Sequence, residues 1–84
     1  MTTLLYKKQS YMSEKELIQK AIDKKIKELR LAKKISQQDM AAYCNFETPN
    51  YCRIESGRTN PTLYTLYVIA KNLQIPLCEL VAEI

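Results

Sequence analysis

The three cysteines of the chain, Cys44, Cys52 and Cys78, carry its most reactive side chains. They form no Cys-x-x-Cys pair and the sequence has no histidine, so a tetrahedral metal site would need carboxylates or a second subunit. An odd number of cysteines is most simply explained by free thiols in a reducing compartment. We therefore expect no metal and no cofactor, and a thiol redox or metal sensor is kept only as an alternative.

Catalysis has little support in the sequence. Histidine is absent, no nucleophile stands at a recognisable spacing from a base, and the single glycine leaves no glycine-rich phosphate loop. We therefore expect a binding protein without catalytic residues rather than an enzyme.

The positive charge is concentrated in the first part of the chain. Residues 1–34 contain ten Lys and Arg against four Asp and Glu, whereas residues 35–84 contain three against five. A basic region suits a polyanion or an anionic surface, although a solvated helix face has the same composition. No apolar run approaches the ~20 residues that span a bilayer, and the start lacks a signal peptide's apolar core. We expect a cytoplasmic protein without membrane contact.

The elements that position these side chains are predicted to be helices. The 84 residues suffice for one small domain, and one glycine and three prolines leave little turn chemistry for β-hairpins. We predict an all-α fold in which residues 13–84 form a single domain and residues 1–12 a flexible N-terminal arm. If the arm is a basic extension rather than a frayed terminus, its Lys7 and Lys8 would lie near DNA or a partner.

Capping residues and apolar periodicity predict the first two helices. Ser13 opens the first with a capping box, and an apolar stripe continues it to about Lys33. Ser36 caps a second helix over residues 37–44, which Asn45 ends in the left-handed conformation. The first stripe contains Leu17, Ala21, Ile22, Ile26 and Leu29, and the second helix should bury Met40, Ala41 and Cys44.

Stop signals separate three more helices. The third starts at Glu47 or Thr48 and runs to Glu55, and Gly57 stops it. Residues 60–62 open a fourth, and Pro76 separates it from a fifth. Their apolar stripes contain Leu63, Leu66, Ile69, Ala70 and Leu73 in the fourth helix and Leu77, Leu80, Val81 and Ile84 in the fifth. We expect no further domain after the fifth helix.

The third helix has two different sides. At 100° per residue, its short polar side chains and one arginine share a flank, and its apolar side chains point the other way. Short side chains let a helix enter a groove, and arginine can donate two hydrogen bonds to guanine O6 and N7. This predicts a helix-turn-helix at about residues 37–56, although a packed bundle without nucleic acid is the alternative. The outward flank holds Thr48, Pro49, Cys52, Arg53 and Ser56, and the inward flank holds Tyr51, Ile54 and Glu55.

Two stretches, IKELRLAKKISQQDMA and YCRIESGRTNPTLYTLYVIAKNLQIPLCEL, contain an ordered set of motifs. These are Leu-Arg, Ser-Gln-x-x-apolar-Ala, Arg-Ile-Glu-x-Gly and Asn-Pro-x-Leu, followed by an apolar helix and a short last helix. On these motifs, residues 26–83 resemble the Cro and phage-repressor type of helix-turn-helix regulators, often called XRE-like. The resemblance implies a five-helix, lambda-repressor-like DNA-binding domain, here with an extended first helix, and double-stranded DNA as the partner.

The resemblance also implies roles for individual residues. Base contacts fall at Thr48, Pro49, Asn50 and Arg53. Contacts to the DNA backbone fall at Gln37, Ser56, Arg58 and Thr59. Arg30 and Glu55 match a family pair that joins the first helix to the third, and a partly buried arginine needs such a partner.

Several positions depart from the family pattern. Cys44 removes core volume and Tyr51 adds it, so we expect the two to compensate. Asn45 stands where glycine is usual. Glu47 places a negative charge at the start of the third helix, which weakens a phosphate contact there but suits the helix's positive end. Pro49 cannot donate a hydrogen bond, so it can recognise only shape or a thymine methyl group.

The function predicted from these features is a sequence-specific transcriptional regulator that binds a pseudo-palindrome as a homodimer. A dimer is expected because one helix offers few base contacts and the apolar stripe of the fifth helix needs cover, from a second copy or from the same chain. An antitoxin with a toxin as its protein partner, or a restriction-modification controller, is the alternative within this class. A helical adaptor that binds only protein is the alternative outside it.

Overall fold

A computed structural model of the chain describes residues 13–82. Within these residues every regular element is an α-helix, which confirms the predicted all-α, five-helix fold with a long first helix. The arm at residues 1–12 and the apolar Ile84 lie outside the described residues. The helices are α1 (Glu14–Ala32), α2 (Gln37–Cys44), α3 (Thr48–Glu55), α4 (Leu63–Asn72) and α5 (Leu77–Val81).

Three helices begin at the side-chain caps that the sequence supplies. Ser13 forms the predicted capping box, in which its hydroxyl accepts from the Glu16 amide (3.2 Å) and its own amide donates to Glu16 Oε1 (3.1 Å). Ser36 accepts from the amide of Asp39 at the start of α2. Thr62 caps α4 in the same way. Each cap satisfies an amide that has no partner within its helix.

Four left-handed residues end the first four helices. Asn45 (φ 62°) and Gly57 (φ 81°) occupy this conformation as the sequence predicts, and Lys34 (φ 59°) and Gln74 (φ 63°) do so without a sequence prediction. After α1, the amide of Ile35 donates back to the carbonyl of Arg30 (3.2 Å), and the same closure joins Ile75 to Ala70 and Phe46 to Ala41. These are Schellman motifs, in which the apolar residue after the left-handed one packs onto the core.

The core receives side chains from all five helices. Met40, Ala41 and Cys44 of α2 point inward as predicted, beside Tyr51 and Ile54 of α3. Cys44 and the fully buried Tyr51 belong to the same core cluster, and the compensation of their volumes stays a prediction. The core contains Ile22, Ile26, Met40, Ala41, Cys44, Tyr51, Ile54, Leu66, Ile69, Ala70, Leu73 and Leu80.

Two predicted apolar stripes differ from the structure at their ends. Leu63 is 70% exposed, because it is the first residue of α4 and the buried stripe begins one turn later at Leu66. In α5, Leu80 is buried and Leu77 packs on the core, whereas Val81 is 40% exposed. The chain itself therefore covers most of the described part of the α5 stripe.

The predicted stripe of α1 also needs correction. Leu17, Ile22 and Ile26 are buried, but Ala21 and Leu29 are only half-buried. Two charged residues, Asp23 and Arg30, take up buried positions on the same side of the helix. Their spacing from Ile26, three residues before and four after, keeps all three on one face.

Candidate nucleic-acid interface

The α2–turn–α3 unit places a short helix on the surface while its other side is held in the core. The turn contains the left-handed Asn45, and Glu47 is the N-cap of α3 without a side-chain capping bond. Pro49 lies in the first turn of α3, where no intrahelical partner for its nitrogen is needed. Tyr51 and Ile54 anchor the inner side of the helix in the core.

Three of the four residues predicted to contact bases, Pro49, Asn50 and Arg53, are exposed, and Thr48 is half-buried at the start of α3. Asn50 and Arg53 are also joined to each other, because Arg53 Nη1 donates to Asn50 Oδ1 at 2.7 Å. They lie three residues apart, one turn along the helix, so the pair occupies adjacent positions on the surface.

Gln37 is bonded inside the protein, on the predicted DNA-facing side. Its Nε2 donates to Glu55 Oε1 (3.0 Å), and its Oε1 accepts from the Cys52 thiol (3.3 Å). Both ends of the amide are therefore engaged within the chain. The side chain fastens the start of α2 to α3, and a phosphate contact from this residue would be made most simply by the backbone amides at the amino end of α2.

Arg30 and Glu55 form a bidentate ion pair between α1 and α3. Arg30 Nε lies 2.6 Å from Glu55 Oε2, Arg30 Nη2 lies 3.0 Å from Oε1, and Arg30 Nη1 donates to the carbonyl of Ile35 (2.7 Å). The two side chains are only 7% and 3% exposed. Arg30 therefore holds α3 to α1.

Glu55 accepts from three side chains at once. Besides Arg30, the Tyr51 hydroxyl donates to Oε2 and Gln37 donates to Oε1. Burial raises the pKa of Glu55, but the hydrogen bonds from Arg30, Tyr51 and Gln37 prevail and hold that pKa below its usual value. The hydrogen bond with Glu55 raises the pKa of Arg30, so the pairing stabilises the charged form of both side chains. A fully partnered carboxylate of this kind fixes the inner side of α3.

The loop after α3 contains the other residues predicted to contact the DNA backbone. Arg58 is exposed, and Thr59 is half-buried. The hydroxyl of Ser56 donates to the carbonyl of Arg53 (2.5 Å), so it closes the end of α3. The loop thus presents one exposed guanidinium beside a closed helix end.

Gly57 packs this loop directly onto α1. A Cβ atom at Gly57 would lie 3.3 Å from Lys20 Cγ and 3.5 Å from both Lys20 Nζ and Asp23 Oδ2. The left-handed φ of 81° and this close approach both favour glycine here. Lys20 is exposed, so the contact places a cation of α1 beside the loop.

Asp23, which the sequence analysis did not identify, is a buried acid beneath this loop. It is 2% exposed, and neither carboxylate oxygen has a hydrogen-bond partner among the residues that the structure describes. Burial raises its pKa from 3.8 to about 6. The nearby positive charge of Lys20 lowers this pKa, and the negative charge of Glu55 raises it. Its position three residues before Ile26 was the available sequence signal, since it lies on the buried face.

The cysteines are free thiols in three environments. Cys44 is buried, Cys52 half-buried and Cys78 exposed. Burial raises the pKa of the Cys44 thiol to about 11, so the group stays protonated at neutral pH. No cluster of three potential metal ligands occurs among residues 13–82. In the same part of the chain, no helix has the length and apolar character needed to cross a bilayer.

Comparison with known proteins identifies the arrangement. The model of the helix-turn-helix family HTH_3 matches residues 26–80, more than half of the chain. No curated protein matches the sequence. The fold resembles an HTH_3 family transcriptional regulator from Vibrio cholerae, with a TM-score of 0.76 and 25% identity over 82% of this chain and 39% of that one.

Two further structures share the fold at lower identity. The clp gene regulator ClgR from Corynebacterium glutamicum gives a TM-score of 0.75 and 15% identity over 79% of this chain and 70% of that chain. The hypothetical transcription factor NHTF from Neisseria gives 0.75 and 18% identity over 83% and 80%. These likenesses show a lambda-repressor-like fold, and the family points to a DNA-binding regulator rather than an enzyme.

Proposed function

Because the chain belongs to the helix-turn-helix family HTH_3, we propose that it is a small transcriptional regulator that binds specific sequences of double-stranded DNA. In this proposal α3 is the recognition helix and lies in the major groove. The observation that carries it is the contrast across α3: Tyr51, Ile54 and Glu55 hold its inner side, while Asn50 and Arg53 stand exposed on the other.

The outer side of α3 is suited to base contacts. Arg53 can donate to guanine O6 and N7, and the exposed Asn50 lies beside it. Pro49 offers an apolar surface for a thymine methyl group. Thr48, at the first position of the helix, is proposed to contact a base or the adjacent sugar and phosphate.

Phosphate contacts are proposed on either side of this surface. Arg58 and the neighbouring Ser56 and Thr59 follow α3, and the amino end of α2 at Gln37 precedes it. The Ser56 hydroxyl is bonded to Arg53 and that of Thr59 is buried, so these two residues would contact phosphate through their backbone amides. Lys20 is an additional candidate, because α1 brings its ammonium group beside Gly57. Replacing Lys20 with alanine should lower the slope of log affinity against log salt by about one, without altering base preference.

A homodimer on a pseudo-palindrome is proposed because a single eight-residue recognition helix contacts few bases. Most of the described α5 stripe is covered within the chain, so the exposed apolar side chains available for pairing are few. Among residues 13–82, the large ones are Leu31 on α1, Tyr43 on α2, Leu63, Tyr64 and Tyr67 on α4, and Val81 on α5. Sedimentation equilibrium with and without operator DNA would test the proposal: one chain per half-site with no chain-to-chain coupling would contradict it.

A titration of labelled DNA tests the function as a whole. A duplex chosen from a random pool by the protein should bind the wild type with an affinity that falls steeply as salt rises. Arg53→Ala should weaken binding by about 1–3 kcal/mol, and Lys71→Ala, which removes an exposed cation on α4, should have little effect. Equal affinity of Arg53→Ala and the wild type would overturn the assignment of α3.

The other functions predicted from the sequence differ in their partners. An antitoxin would also bind a toxin, and a restriction-modification controller would bind the promoter of the neighbouring genes, so the adjacent gene distinguishes them. Their DNA contacts would be the same. A protein-only adaptor would show no salt-dependent binding to any duplex. We propose cytoplasmic action, where the DNA is.

A further inference from the structure

The carboxyl group of Asp23 lies beneath the loop that follows α3, where DNA phosphates are proposed to bind. Asp23 is 2% exposed, and neither of its carboxyl oxygens has a hydrogen-bond partner among residues 13–82. A Cβ atom at Gly57 would lie 3.5 Å from Asp23 Oδ2. The buried acid therefore lies directly against this loop.

Two charged side chains act on the Asp23 carboxyl group, one of each sign. Lys20, one turn earlier on α1, places its Nζ 3.5 Å from the same Cβ position, so it lies beside both Asp23 and the loop. Glu55 on α3 is negative, but its ion pair with Arg30 offsets part of its charge. Lys20 is thus the cation that compensates an ionised Asp23, and it is also exposed on the surface.

Asp23 is placed to titrate between pH 5 and pH 7. Burial raises the pKa of its carboxyl group to about 6. The chain has no histidine, the side chain that ordinarily titrates in this range. A change of DNA affinity between pH 5 and pH 7 can therefore be traced to this carboxyl group by replacing it.

We propose that Asp23 takes up a proton from solvent when a DNA phosphate binds at the loop after α3, so that DNA binding strengthens as the pH falls. This inference rests on the proposed function and adds a form of regulation to the same site. The phosphate brings a second negative charge toward the buried carboxylate, and it competes with that carboxylate for Lys20. Both effects make ionised Asp23 less favourable in the complex than in the free protein.

The coupling acts in both directions, because linked binding equilibria are reciprocal. If bound DNA favours protonated Asp23, then protonated Asp23 favours bound DNA by the same factor. A neutral Asp23 also leaves the ammonium group of Lys20 to the phosphate alone. One charge interaction near a protein surface corresponds to about a 3- to 10-fold change in affinity between the two protonation states.

A titration of the selected duplex at constant salt, repeated from pH 5 to pH 8, tests the inference with the full chain. Asp23→Asn keeps the shape of the side chain but cannot titrate. Over this range the wild type should lose about 3- to 10-fold more affinity than Asp23→Asn. Comparing the two proteins at each pH removes the effects of all groups that they share.

Calorimetry provides a second, direct measurement of the proton. Binding at pH 6 is recorded in buffers that differ in their enthalpy of ionisation, which gives the number of protons taken up per chain bound. The wild type should take up about 0.2–0.4 proton more than Asp23→Asn. A purely structural role of Asp23 would not produce this difference.

The matched control is Glu28→Gln, which removes the same charge from the exposed side of α1. Its affinity relative to the wild type should stay constant from pH 5 to pH 8, and its proton uptake should equal that of the wild type. Circular dichroism at each pH shows that every protein compared is folded.

The possible results separate the inference from the proposed function. Affinity that falls with pH only in proteins that retain Asp23, with the matching proton uptake, supports the inference. Sequence-specific binding in which wild type and Asp23→Asn respond equally to pH, or in which the wild type takes up no proton, overturns it and leaves the proposed function intact. No sequence-specific binding by either protein at any pH overturns both.

Discussion

The inner and outer sides of α3 are built differently, although they belong to the same eight residues. On the inner side, Tyr51 and Glu55 are fixed by burial and by bonds to Arg30 and Gln37. On the outer side, Arg53 has one side-chain bond, to Asn50, and is otherwise exposed. The inner side therefore sets stability and helix position, and the outer side is available to a partner.

The comparison predicts that substitutions on the two sides separate stability from DNA binding. The largest effect is expected for Glu55→Ala, which leaves Arg30 buried without its carboxylate. The free energy of unfolding should fall by about 3–5 kcal/mol, measured by urea denaturation. Glu47→Gln, at the exposed start of the same helix, is the control and should change stability by less than about 0.5 kcal/mol. Equal effects of the two would remove the distinction.

Tyr51→Phe sharpens the comparison by removing a single hydroxyl from the inner side. Glu55 would lose one of its three side-chain donors while the aromatic ring stays in the core. We expect the unfolding free energy to fall by about 1.5–3 kcal/mol, as for a hydrogen bond to a charged group. An unchanged urea midpoint would show that the hydroxyl does not support the carboxylate.

Asp23, the buried acid beneath the loop after α3, should make the free energy of unfolding depend on pH. Its pKa is about 6 in the folded protein against 3.8 ordinarily, so the folded state holds the proton more tightly than the unfolded state. Its ionisation therefore costs stability as pH rises from about 4 to about 6, and the full cost remains at pH 7.

The comparison of wild type with Asp23→Asn isolates this effect, because asparagine does not titrate. The difference in unfolding free energy between the two proteins should move in favour of the asparagine variant by about 2–2.5 kcal/mol between pH 4 and pH 7. If the unfolding free energies of the two proteins changed in parallel across that pH range, the raised pKa of Asp23 would be contradicted.

The smallest effect on stability is expected on the outer side. Arg53→Ala should change the unfolding free energy by less than about 0.5 kcal/mol, since the side chain is exposed and its one side-chain hydrogen bond within residues 13–82 is to Asn50. The same variant should lose DNA affinity. A loss of stability equal to that of Tyr51→Phe would mean that the two sides of α3 are not distinct.

Much of the fold follows from local signals in the sequence. Ser13, Ser36, Asn45 and Gly57 mark helix ends because each residue type suits its cap or backbone conformation. Lys34 and Gln74 also adopt the left-handed conformation, against the preference of their side chains. The signal was the isoleucine after each of them, which packs on the core in the same way as Phe46 after Asn45.

Less of the site than of the fold could be predicted from the sequence. The inward direction of Tyr51 and the exposure of Arg53 follow from helical periodicity. The bonds of Gln37 to Glu55 and Cys52 do not, because residues 15 and 18 positions apart meet only after α2 and α3 pack. The same holds for Asp23 and Gly57, which approach through the packing of α1 against the loop.

Backbone amide shifts of the labelled protein, recorded by NMR as the selected duplex is added, test the central claim most directly. The account predicts that the largest changes cluster at residues 48, 50, 53 and 56–59 and at the start of α2, with small changes in α5. The claim would be contradicted if the changes centred on the exposed side chains of α4, Leu63, Tyr64 and Tyr67, while α3 remained unperturbed.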